Sequence, residues 1–290
     1  MSDRETPLPP TPADGVREWA AARLREIEQL LDADGLAIIS PLLWGVEHHV
    51  KIAVESRESR RDQLFVVLDT AGGIVDVVER IVRVLRQHYS EVKFIIPDRA
   101  MSAGTVLAMS GDEIWMDYHS CLGPIDPQVE RDGRLEPALS YLAQYERLIE
   151  KSRQETLSTA ELVLLSKLDL AELHRYELAR DLTIQMLKDW LTRYKFKDWD
   201  KTETQGKAVT QAIREKRAEE IAQGLSDQQR WLTHSRGIDM RTLTGSLKVR
   251  VDDLGERPEL KKAVWNYFWF LRSYMAESQV ELCVHAPDYF

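Results

Sequence analysis

One short stretch of this chain has the residue types and spacing for acyl-transfer chemistry: Ala100-Met101-Ser102-Ala103-Gly104-Thr105. A strand-like run, Val92 to Pro97, precedes it, and an apolar segment, Val106 to Met109, follows. Ser102 therefore falls on a strand-to-helix turn with small residues on its C-terminal side. Such a turn lifts a hydroxyl clear of the backbone, lets a carbonyl approach, and aims free N–H groups at developing negative charge. A second turn of the same kind, Leu68-Asp69-Thr70-Ala71-Gly72-Gly73, follows the strand-like run Leu64 to Leu68 and opens a helical pattern. Alone, a serine at a helix start is usually an N-cap, and Gly-Gly after a strand usually serves a positive φ. Together, the turns suggest a nucleophile and an oxyanion hole from separate loops. Both lie at strand C-termini, the edge where open α/β sheets bind ligands.

The elements that position these turns can be read from apolar spacing. It predicts a helix over 16–31, a buried strand over 36–39, a helix from 46 onward and a strand over 64–68. A helix over 74–85 has Ile74, Val77, Val78, Ile81, Val82 and Leu85 on one stripe. A strand over 92–96, a short helix over 102–109 and a strand over 113–116 follow. Strands alternating with helices imply a mainly parallel sheet with right-handed crossovers. From Pro137 to Gly224 the pattern is almost wholly helical, including a long helix over 168–194. A mixed segment over 231–249, with a short helix over 241–244, leads to an aromatic helix over 263–275. The expected organisation is a flexible tail over 1–15, an α/β core over 16–135, and a helical extension over 136–290 that completes the same domain.

Composition narrows the function classes. The 290 residues are 43% hydrophobic and 30% charged, with a net charge of -9, a poor match to nucleic acid or anionic membranes. Cys121 and Cys283 are far apart and show no zinc-type spacing, so free thiols in a reducing compartment are expected, with no metal and no cofactor. No apolar run is long enough to span a bilayer. The segment Met1 to Gly15, with Pro7, Pro9, Pro10 and Pro12, lacks the apolar core of a signal peptide. A soluble cytoplasmic protein without an integral membrane segment is expected; peripheral membrane association stays open.

Three stretches carry a family resemblance: Leu64 to Gly73, Ala100 to Thr105, and Ser110-Gly111-Asp112-Glu113-Ile114-Trp115-Met116 with Leu122-Gly123-Pro124-Ile125-Asp126-Pro127-Gln128. The chain resembles the serine dehydrogenase proteinase family of the Clp/crotonase superfamily, related to signal peptide peptidase A and the Clp protease proteolytic subunit. The match covers residues 33–130. His234-Ser235-Arg236-Gly237-Ile238 and Leu247-Lys248-Val249 resemble a later family stretch more loosely. The resemblance implies a ββα spiral core with the helical C-terminal extension, a homo-oligomer, and serine endopeptidase chemistry on a peptide or unfolded protein. It makes Ser102 the nucleophile and the amides of Gly73 and Ala103 the oxyanion hole. Thr70-Ala71-Gly72-Gly73 departs from the usual T/S-P-G-G.

A serine hydroxyl needs a general base. The resemblance points to Lys151, which follows the helix starting near Pro137, with Lys167 as a weaker choice. The position of the Clp-type histidine falls within Gly123 to Asp126, which contains none, and His119 lies a few residues earlier. Asp126 would orient a base or cap the turn before Pro127. His234 would pack beneath the site or serve as the base. Two other functions share the fold: a catalytically silent oligomeric scaffold, and a crotonase-type acyl-CoA enzyme, which needs no serine nucleophile.

Overall fold

The computed structural model describes residues 12–131, 134–202 and 206–290. Of the expected tail, residues 1–11 lie outside the described residues, and helix α1 (Pro12–Leu31) begins directly after them. The chain continues through β1 (Asp34–Ile39), α2 (Val46–Glu55), β2 (Gln63–Asp69), α3 (Val75–His88), β3 (Glu91–Ile96), β4 (Arg99–Ala100), α4 (Ala103–Met109), β5 (Glu113–Met116) and β6 (Cys121–Leu122). The hairpin β7 (Gln128–Arg131) and β8 (Arg134–Pro137) leads to α5 (Ala138–Arg153), α6 (Thr159–Leu165) and α7 (Leu170–Trp190). Then come α8 (Gln211–Ser226), α9 (Gln228–Trp231), β9 (Ile238–Asp239), α10 (Met240–Gly245), β10 (Asp252–Asp253), α11 (Pro258–Ser278) and β11 (Cys283–His285).

The main sheet has the order β10-β5-β3-β2-β1-β11, parallel except where β11 pairs with β1. β2 explains the central stack. Leu64, Val66 and Leu68 face one apolar cluster, with α2, α3 and α4; Phe65 and Val67 face another, with α1 and α11. A strand covered on both faces reads as a continuous apolar run, because no position meets water. On α3, Val77, Val78, Ile81, Val82 and Leu85 are buried along one stripe. Burying each such side chain is worth roughly 1.5–3 kcal/mol before entropy is counted.

Strand-like stretches past the main sheet fold back into a second, three-stranded sheet, β4-β6-β9. β3, β4 and α4 form one long-strand, short-strand, helix unit, and β5 with β6 begins another. The protein is thus an α/β fold with ββα units and a helical C-terminal region. The late strands β9, β10 and β11 escape sequence reading, because two or three residues carry no periodicity. Their pairing comes from tertiary contacts alone. The long helix expected over 168–194 ends its α-helical part at Trp190 and continues as a π-helical turn, Leu191–Lys195.

Candidate active site

Two turns from neighbouring strands meet at the C-terminal edge of the sheet. One leaves β2 through Thr70 to Gly73; the other leaves β4 through Met101 and Ser102. The Thr70 amide donates to the Arg99 carbonyl at 2.9 Å, and the Met101 amide to the Thr70 carbonyl at 3.0 Å. On the other side, the Leu42 amide donates to Gly72 and the Ile74 amide to Leu42, both at 2.9 Å. Within the turn, the Gly72 amide donates to Thr70 Oγ1 at 3.0 Å. The glycine turn is therefore wedged between the segment after β1 and the Ser102 turn. Glycine is required there. Gly72 and Gly73 have φ of 104° and 153°. A Cβ on Gly73 would sit 2.3 Å from the Leu42 carbonyl oxygen, and one on Gly72 would sit 2.8 Å from Ser102 Cβ.

Ser102 itself has φ 52° and ψ −120°, a conformation that L-residues rarely adopt. Such backbone costs on the order of 1–3 kcal/mol and persists where the surroundings over-determine it. Here Thr105 provides part of that frame. Its Oγ1 lies 2.7 Å from the Ala100 carbonyl oxygen and 2.9 Å from that of Gly123, and accepts from the Gly123 amide. The Ser102 side chain does not cap α4, and its hydroxyl has no hydrogen-bond partner among the described residues. The amides of Gly73 and Ala103 also lack acceptors among the described residues. A hydroxyl on a strained turn beside two unpaired amides can meet a carbonyl carbon and hold its oxygen.

The base candidates separate in space. His119 is exposed after β5, its Nε2 3.7 Å from Asp98. Lys151, in the last turn of α5, has its ammonium 2.5 Å from Glu161. That contact, with help from Ser158, pulls the Glu161 carboxyl down to about 2. Lys167 is exposed after α6. None of these touches Ser102.

His234 and Asp126 do come together. His234 Nδ1 lies 2.8 Å from Asp126 Oδ1, while Asp126 Oδ2 accepts from Gln128 at 3.0 Å and from Gln228 at 3.1 Å. Asp126 is buried, His234 partly exposed. The pair lines a cavity of about 300 Å³ together with Ser140, Gln144, Gln228 and Trp231. Because Nδ1 is engaged, Nε2 is the ring nitrogen left for chemistry. The small sheet explains the meeting. β6 and β9 pair antiparallel, Cys121 with Asp239 and Leu122 with Ile238, and extending that register sets residue 126 opposite residue 234. On its other side, β6 pairs parallel with β4, Ala100 with Leu122, so the segment after β6 runs beside the Ser102 turn. The sequence held Asp126 and His234 as separate candidates. It gave no sign of the pairing, of Gln228 or of the brace from Leu42, because two-residue strands set the register.

The family model of ClpP-like SDH-type serine proteinases matches residues 46–236. The chain belongs to that family. Two proteins of Methanocaldococcus jannaschii are relatives. Uncharacterized protein MJ1495 is 38% identical over 117 residues, covering 40% of this chain and 38% of its own length. Uncharacterized protein MJ0137 is 28% identical over 129 residues, covering 39% of this chain and 45% of its own. The match thus spans less than half the length of each relative. Among solved structures, a serine-to-alanine mutant of the 1510-N membrane-bound stomatin-specific protease overlaps 74% of this chain and 75% of its own, at 14% identity and a TM-score of 0.38. An enoyl-CoA hydratase from Mycobacterium avium subsp. paratuberculosis overlaps 51% of this chain and 75% of its own, at 14% identity and a TM-score of 0.25. Among the described residues, no helix is long and apolar enough to cross a membrane.

Proposed function

We propose that this chain is a serine endopeptidase of unfolded protein or peptide substrates, with Ser102 as nucleophile and the Gly73 and Ala103 amides as the oxyanion hole. The observation that carries the reading is Ser102 held at φ 52° with its hydroxyl unpaired beside those two free amides. Family membership supplies the reaction class. Ser102 Oγ attacks the scissile carbonyl carbon as a base takes its proton; the amides hold the oxyanion; the leaving amine departs with the proton. Water then repeats the sequence on the acyl-enzyme.

For the base, the 2.8 Å contact between His234 and Asp126 favours His234, oriented by Asp126, with Nε2 taking the proton. The Ser102 and His234 side chains make no hydrogen bond to each other in the free protein, so substrate binding has to draw them together, as catalytic contacts often tighten only in the complex. Lys151 supports a second reading, in which the ammonium leaves Glu161 and gives up its proton; His119 is a third choice. We also propose a homo-oligomer, supported by α6, which buries no residue of its own and exposes Leu162, Val163 and Leu164. The free thiols of Cys121 and Cys283 suit a cytoplasmic setting. The test is casein hydrolysis: wild type cleaves, and Ser102→Ala, folded by circular dichroism, does not. A folded wild type with no hydrolysis of casein or peptides would favour the silent scaffold, and full activity in Ser102→Ala would overturn the assignment.

A further inference from the structure

Two features of the chain have no part in the chemistry above: the aromatic run of α11 and the proline-rich segment ahead of α1. The aromatic run meets α1. Trp19 and Phe270 pack with ring centroids 3.8 Å apart, and Trp265 stacks on Trp269 at 5.8 Å. With Arg23 and Asn266, these rings line an open groove of about 350 Å³. Trp19 is 36% exposed and Trp269 54%, a broad apolar area to leave facing water. The groove is also rich in free donors. Trp265 gives its indole N–H to Asp117 at 3.2 Å, but the indole N–H groups of Trp19 and Trp269 have no acceptor among the described residues, and the Asn266 side chain makes no hydrogen bond there. An occupant that fits must bring apolar rings and a row of acceptors.

Residues 1–11 lie outside the described residues and join α1 at Pro12. Their sequence contains Pro7-Leu8-Pro9-Pro10. Proline keeps its carbonyl acceptor, has no N–H to satisfy, and favours the extended left-handed helix that aromatic grooves recognise in P-x-x-P segments. We propose that this segment docks in the groove of its own chain, its prolines against Trp19 and Trp269 and its carbonyls accepting from the two indoles. The lengths agree. Trp19 comes two helical turns after Pro12, so both lie on one face of α1, about 10 Å apart along the axis. Pro7 to Pro10 all fall within five residues of Pro12, a reach of about 15 Å. Gly15 lies between Pro12 and Trp19 on that face, and a Cβ built on it would meet nothing within 4 Å, so the way back along the helix is open. Arg23 continues the face one turn beyond Trp19, on the side where Glu5 follows Pro7 outward. The docked segment would cover the exposed indoles, and this inference is independent of the Ser102 reading.

The probe is a fluorescein-labelled peptide of residues 2–11, its binding to the full chain followed by fluorescence anisotropy. The receptors are wild type, a full-length variant carrying Pro7→Ser, Pro9→Ser and Pro10→Ser, and that variant with Trp269→Ser added. A tethered segment acts at an effective concentration on the order of millimolar, so in wild type it should hold the groove against the free peptide. The peptide should therefore bind the proline variant at least about tenfold more tightly than wild type. Adding Trp269→Ser, a change at a half-exposed side chain, should weaken that binding about tenfold or more, and so should serine in place of the three prolines of the peptide. Trp19→Ser replaces Trp269→Ser should the latter fail to fold by circular dichroism. No binding to the folded proline variant, or binding that the tryptophan change leaves intact, overturns the proposal. Equal binding to wild type and the proline variant overturns it too, since the groove would then take proline-rich chains from elsewhere. Resistance of wild type to the peptide that disappears on dilution assigns the groove to the segment of a second copy and overturns docking within one chain.

Discussion

The Ser102 edge and the α5–α6 arm are built on opposite terms. At the edge, backbone bonds from two segments, the one after β1 and the one carrying Ser102, converge on the glycine turn, and α4 is buried along its whole length. In the arm, α6 buries nothing, its N-terminus is held by the reciprocal Ser158–Glu161 capping box, and Lys151 joins it to α5 through one ion pair. Ion pairs that stay partly open to solvent in this way are worth about 1 kcal/mol or less. Chemistry that depends on tenths of an ångström needs over-determined backbone; a solvent-facing helix tolerates loose contacts. Substitutions should therefore be costly at the edge and mild in the arm.

The base is the sharpest point of difference, because the candidate pairs lie on different elements: Asp126 and His234 on the segments after β6 and α9, Lys151 and Glu161 in the arm. His234→Ala should lower casein hydrolysis by about 10³–10⁴-fold, as for loss of a positioned base, and Asp126→Asn by a similar order. Lys151→Ala should change it less than about threefold, since it breaks only a partly exposed ion pair within the arm. Steady-state kinetics decide between them. A collapse in Lys151→Ala with His234→Ala unaffected would move the catalytic role to the arm.

Gly73→Ala comes next. Its Cβ would meet the Leu42 carbonyl oxygen at 2.3 Å at a φ that alanine avoids. A stability loss on the order of 3 kcal/mol is expected, with about 10²–10³-fold lower activity from the displaced amide. Denaturant unfolding and kinetics on the folded fraction measure the two effects. An alanine tolerated at this position would contradict the wedged turn.

Asp69 gives a change of opposite sign. Its carboxyl rises from 3.8 to about 6 in the fold, so the protonated form is the one the fold favours. Its contribution to stability is full below about 3.8 and is lost as pH rises through about 6. Asp69→Asn should therefore be more stable than wild type by up to about 3 kcal/mol at pH 7.5, with the difference mostly gone near pH 4 and absent only well below 3.8. Urea unfolding at both pH values reads this directly.

How much of this was legible in the sequence follows from how each feature is made. α3 and the strands β1, β2 and β3 are visible because apolar periodicity and burial coincide along them. The Ser102 and Gly72–Gly73 turns are visible because both fall at the C-terminal ends of strands in successive strand–helix units, although either alone would read as an N-cap or a positive-φ turn. The His234–Asp126 pair is not visible, because it depends on the register of β6 and β9, each two residues long. Asp69 stood in plain view within Leu68-Asp69-Thr70, yet only the fold shows that its carboxyl is buried.

The smallest effect belongs to the arm. Replacing Leu162 and Leu164 by serine should shift monomer stability by no more than about 0.5 kcal/mol, since both are exposed. If this face joins copies of the chain, sedimentation velocity should show the double variant dissociating where wild type stays assembled. Wild type sedimenting as a monomer at micromolar concentration would contradict the oligomer.

Ser102 is the residue on which hydrolysis depends in the proposed mechanism. Wild type treated with a fluorophosphonate probe, digested and sequenced by mass spectrometry should carry the label on Ser102, and folded Ser102→Ala should carry none. A folded wild type that takes no label, or takes it elsewhere, would contradict the assignment of Ser102 as the nucleophile.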